Sequence, residues 1–182
     1  GPTLEGGYPP RVDAGHAFLA SSEGRLISVN LRTGKKVWEE NAGAFTKAPV
    51  IAGGKIVLLM KEPSGVMVLH AATGKKSSFQ PTLPDVHAVV PALGGYVLVR
   101  KKGLTLWDSG TGKTVWDMVL PAETTPEVAP FEVAGNLMLL ATDLLLCLSK
   151  EGNKVWERRI EPGAMVVPGP ANHANYAGSH QL

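Results

Sequence analysis

The chain has 182 residues and a mass of 19.2 kDa, with 44% hydrophobic and 19% charged residues; this excludes wholesale disorder and suffices for one domain with a substantial core. The formal net charge is only +2, and the basic residues sit in scattered pairs (Lys35-Lys36, Lys75-Lys76, Lys101-Lys102) rather than in a stripe, so nucleic acid is not an expected partner. No apolar run approaches the length of about eighteen residues that a membrane span needs, so no transmembrane segment is expected.

The chain opens without the charged and apolar regions of a signal peptide, and Gly1-Pro2 has the form of a tag-cleavage scar, which makes that opening uninformative. The first unit has Pro10 five places before Gly15, an apolar run Leu26-Ile27-Ser28-Val29-Asn30-Leu31, and the turn Thr33-Gly34-Lys35-Lys36-Val37-Trp38. In the second, Pro49 leads to Gly54, strands are predicted at Ala48 to Ile51, Ile56 to Met60 and Val66 to Leu69, and the turn Thr73-Gly74-Lys75-Lys76-Ser77-Ser78 lacks the tryptophan, with Phe79 one place later. The third unit runs from Pro91 and Gly95 through Tyr96 to Val99 and Leu104 to Trp107, then to Thr111-Gly112-Lys113-Thr114-Val115-Trp116. Pro130 and Gly135 open the fourth, which continues through the apolar run Leu144 to Leu148 and closes on Glu151-Gly152-Asn153-Lys154-Val155-Trp156. Beyond it Met165-Val166-Val167-Pro168-Gly169-Pro170 reads as the first strand of a fifth unit or as a tail.

The turn glycines Gly34, Gly74, Gly112 and Gly152 are 40, 38 and 40 residues apart, and the proline landmarks keep the same phase. A period of that length signals a repeat architecture. Each unit reads as four short strands, with proline at a strand start where no ladder donor is lost and glycine at turns that need positive φ. No segment carries ten or more residues of helical periodicity. One such sheet has two apolar faces and cannot cover both, so neighbouring sheets must stack. The expected fold class is therefore all-β, a β-propeller of four-stranded antiparallel blades, self-closed or half of a larger propeller. It is expected as a single domain over 1–182, with repeats at about 8–43, 44–83, 84–123 and 124–163 and a tail or fifth unit at 164–182.

The turn-plus-tryptophan copies, with the run Leu26 to Leu31 ahead of the first, resemble the tryptophan-docking motif of the PQQ-like β-propeller repeat family. That family includes quinoprotein dehydrogenases and non-catalytic members such as the BamB-type lipoprotein of the outer-membrane assembly machinery. The second copy departs by losing its tryptophan and the fourth by carrying Glu151 for threonine, so looser seating is expected there. A resemblance to the WD repeat rests on Leu106-Trp107-Asp108 alone; one unit in four has the dipeptide, and no Gly-His pair precedes it.

The resemblance implies, for the enzymes, a calcium site of carboxylates and an amide, a catalytic aspartate and an aromatic floor beneath a quinone. Here the acidic residues (Glu39-Glu40, Glu62, Asp108, Asp117, Glu123, Glu127) are dispersed, and a hard cation needs about six converging oxygens. No catalytic, cofactor or metal residue is therefore assigned, and the chain is read as not an enzyme. Cys147 is the only cysteine, expected in the core. Of His16, His70, His87, His173 and His180, no pair has a zinc-binding spacing, and Gly110-Thr111-Gly112-Lys113-Thr114 lacks the earlier glycine of a phosphate loop.

Lys47, His87 and Glu127 fall at or just ahead of equivalent first-strand positions and differ in charge from unit to unit, which makes them candidate partner contacts at the axial face. The reading favoured is a protein-interaction scaffold in a larger assembly, without a cofactor, with a protein partner and a homodimer that completes the propeller as further expectations. A small-molecule or glycan-binding propeller and a truncated or degenerate quinoprotein dehydrogenase are the alternatives. The resemblance implies a periplasmic, cell-envelope or extracellular location.

Overall fold

The computed structural model describes residues 7–81, 85–121, 126 and 128–160. The proposed fifth unit, with His173 and His180, lies outside them. Sixteen strands form four meandering antiparallel sheets in chain order. The first sheet contains β1 (Gly7–Asp13), β2 (His16–Ser21), β3 (Arg25–Asn30) and β4 (Lys36–Asn41); the second β5 (Val50–Ala52), β6 (Lys55–Met60), β7 (Gly65–His70) and β8 (Lys76–Pro81). The third contains β9 (Val86–Ala92), β10 (Gly95–Arg100), β11 (Gly103–Asp108) and β12 (Lys113–Val119), and the fourth β13 (Phe131–Val133), β14 (Asn136–Ala141), β15 (Leu144–Leu148) and β16 (Lys154–Arg159). No helix of the described residues is long and apolar enough to cross a membrane.

Each sheet begins with the same device. Its first two strands join through the pairs Ala14-Gly15, Gly53-Gly54, Leu93-Gly94 and Ala134-Gly135, all with positive φ at both positions. Two consecutive left-handed residues make the two-residue hairpin turn whose twist matches antiparallel strands. Leu93 accepts the unfavourable backbone because its side chain is buried between sheets and its N–H donates to Glu132 Oε2 of the next sheet at 2.6 Å. The Thr-Gly turns before the fourth strands are organised from upstream. Asn30 Oδ1 accepts hydrogen bonds from the N–H groups of Arg32 and Thr33, and Asp108 Oδ1 accepts from Gly110 and Thr111. The segment that superficially resembles a phosphate loop is thus a strand-to-strand turn held by Asp108.

Three apolar clusters join the sheets face to face, first to second, second to third and third to fourth. Among the described residues no cluster joins the fourth sheet back to the first, so the described sheets form an arc whose two end faces have no facing sheet. The strands that meet across the seams are β1 with β5, β5 and β6 with β9, and β9 with β13. First strands thus lie closest together, as the inner strands of a radial stack must.

Strand parity decides what fills the second seam. Trp38, Trp116 and Trp156 pair with Ser28, Leu106 and Cys147 on their third strands, and the residue at that register in the second sheet is Ser78, opposite Val68. Phe79 does not replace the missing indole: successive strand residues point to opposite faces, and Phe79 packs into the first seam rather than the second. The second seam receives its indole from the other side. Trp107 of the third sheet is 1% exposed and packs with Tyr96 against Val57, Leu59, Val66 and Val68. Cys147 is buried, as expected.

Candidate functional site

The sites with a repeated geometry are the seams. The Trp38 indole N–H donates to the Ala71 carbonyl at 2.8 Å, and a Cβ built on Gly74 would stand 2.8 Å from that indole. Trp116 repeats this one sheet pair further on, donating to the Lys150 carbonyl at 2.9 Å, with a Cβ on Gly152 only 2.7 Å from its ring. Each indole therefore lies on the glycine turn of the following sheet, where no side chain fits. Glu151 in place of threonine does not prevent it, contrary to the expected looseness of that unit. Gly112, downstream of the sheet that lacks a tryptophan, has nothing within 4 Å of its Cβ position.

A second feature lies on the inner strands. Lys47 and Ala48 of the connection into β5, Val57 and Leu59 of β6, and His87 to Val89 of β9 line a cleft of about 250 Å³ between the second and third sheets. Lys47 and His87 are exposed at its rim over an apolar floor. Two of the three candidate contacts thus share one site, at the end of the blades away from the hairpin turns. Glu127, the third, lies outside the described residues. The floor residues Val57 and Leu59 escaped sequence reasoning, because an apolar strand residue carries no mark of which seam gapes above it.

Three carboxylates are held by neighbours in their own turns or sheets. Glu39 is held below the usual carboxylate range by Lys36 and then Arg25, Asp108 by the Thr111 hydroxyl and then the Gly110 N–H, and Glu151 by Ser149. Burial raises the Tyr96 phenol. Among the described residues no three His, Cys, Asp or Glu side chains converge to hold a metal ion. The calcium site that the resemblance implies for the quinoprotein enzymes is therefore not formed by the described residues.

Four-stranded antiparallel blades stacked face to face, with their first strands innermost, define a β-propeller. The family model for the outer membrane protein assembly factor BamB, a PQQ-repeat model, matches residues 5–80. BamB of Bordetella pertussis is 25% identical over 159 residues, covering 83% of this chain and 41% of that protein. The 1-butanol dehydrogenase (cytochrome c) of Thauera butanivorans is 31% identical over 90 residues, 46% of this chain and 12% of that enzyme. The crystal structure of BamB from Moraxella catarrhalis superposes with a TM-score of 0.60 at 16% identity, over 79% of this chain and 49% of that one. The chain thus spans less than half the length of the relatives it matches. Its repeats are thus similar to those of the PQQ-like β-propeller proteins.

Proposed function

We propose that the chain is a non-catalytic propeller module that presents its inner-strand cleft to a protein partner in a cell-envelope assembly. The observation that carries this reading is the cleft itself, where a lysine and an imidazole stand over an apolar floor without a converging set of metal ligands. Such a floor with a cationic rim suits an apolar or aromatic anchor followed by a carboxylate, and anchors of that kind dominate protein interfaces. The similarity to BamB supports a role in assembly at the outer membrane, and with it the cell-envelope location.

The test is site-specific photo-crosslinking in extracts of the source cells. A crosslinker at position 87 should capture one defined protein, lost on Lys47→Glu, while one at Lys113 on the opposite end of the blades should not. Equal capture from both positions, or none from position 87, would remove the cleft from the account.

A second reading, a portion of a quinoprotein dehydrogenase, is favoured by the 31% identity to the butanol enzyme. It forecasts quinone absorbance and dye-linked alcohol oxidation after incubation with the quinone and calcium. The first reading forecasts neither.

A further inference from the structure

The two end faces of the arc are complementary in a way that the internal seams define. On the outer face of the fourth sheet lie Met138, Leu140, Leu145 and Cys147, with Trp156 at the register of Trp38 and Trp116. Trp156 is 39% exposed, and among the described residues no turn glycine lies against it. On the outer face of the first sheet lie Ala17, Leu19, Ile27 and Val29, opposite the face that meets the second sheet. Its turn glycine, Gly34, has φ of +67°, against +71° and +83° at the occupied turns Gly74 and Gly152, and nothing lies within 4 Å of its Cβ position. One end is an indole without a glycine turn; the other is a glycine turn without an indole.

We propose that these faces close on a second copy of this chain, the fourth sheet of each on the first sheet of the other, with Trp156 seated on the partner's Gly34 turn. Two such seams related by a two-fold axis complete a ring and leave no free blade face. Charge at the seam is mixed: by analogy with Glu40 beside Lys75 and Lys76, Arg158 comes near Lys35 and Lys36 as well as Glu39. Closure therefore rests on apolar burial and the indole rather than on electrostatic attraction.

Light scattering on the 182-residue chain, at concentrations well above micromolar, tests this without reference to the cleft or its partner. The expected mass is twice 19.2 kDa. Trp156→Ala should return the mass to that of one chain, and so should Gly34→Asn, which puts a side chain where the partner's indole belongs. Gly112→Asn is the matched control: its φ is +70° and its surroundings are open, so it imposes the same backbone demand without touching a seam, and asparagine tolerates that conformation. Gly112→Asn should keep the doubled mass. A single-chain mass for the unaltered protein, a doubled mass that survives both Trp156→Ala and Gly34→Asn, or an open ladder of larger assemblies would each overturn the proposal.

Discussion

Replacing Gly74 by alanine should destabilise the fold by far more than replacing Gly112, although the two turns share Thr-Gly-Lys and nearly the same backbone. Both glycines have φ near +70°, so alanine at either costs about 1–2 kcal/mol in left-handed strain. At Gly112 the new methyl meets nothing, and the strain is the whole effect. At Gly74 it would stand 2.8 Å from Cε3 of Trp38 and displace the indole. That sacrifices the hydrogen bond to the Ala71 carbonyl, about 1 kcal/mol, and apolar contact of about 1 kcal/mol. The excess at Gly74 is therefore about 2 kcal/mol. With a urea slope of about 2 kcal/mol per M for a chain of this size, the midpoint of Gly74→Ala should fall about 1 M below that of Gly112→Ala. Gly152→Ala should behave like Gly74→Ala, since its Cβ would meet Trp116. Equal midpoints for all three variants would refute the idea that the indoles are seated on these turns.

Trp107→Ala should cost about 3–5 kcal/mol in chemical denaturation, because a fully buried indole leaves a cavity that its β-sheet neighbours cannot fill. Ala134→Gly should raise stability by about 0.5–1 kcal/mol, since glycine relieves a left-handed alanine at an exposed hairpin and its own entropy cost offsets only part of the gain; a lower melting temperature would count against that turn geometry. Asp108 has a folded-state pKa below its unfolded value. Its stabilisation is therefore present above the ordinary aspartate range and lost as pH falls through the depressed value. Acid titration of Asp108→Asn should show a shallower loss of stability below that range than the unaltered chain.

The period, the strand pairs and the antiparallel meander were legible because the Thr-Gly turn and the proline recur in phase, and each marks a backbone requirement that other residues meet poorly. The same spacing that places Trp38 and Trp116 five residues after their threonines places Ser78, not Phe79, at the seam; Phe79, one place later, faces the other way. Trp107 was read only as a strand residue. Its role in filling the gap left by Ser78 depends on which two sheets face each other, which no single unit reveals. Lys47 and His87 could be brought together from sequence because they are one repeat apart, whereas the apolar floor beneath them depends on how far two sheets splay. How the arc closes is not legible from sequence, since strand patterns within a unit do not state what covers the outermost faces.

The account depends most on indoles that bridge successive sheets, and hydrogen exchange of the indole N–H groups followed by NMR reads them one by one. Trp38 and Trp116, bonded to the Ala71 and Lys150 carbonyls, and Trp107, buried in the second seam, should all exchange orders of magnitude more slowly than a solvated indole. Exchange of Trp38 and Trp116 at the rate of free indole would contradict the stacking of the blades.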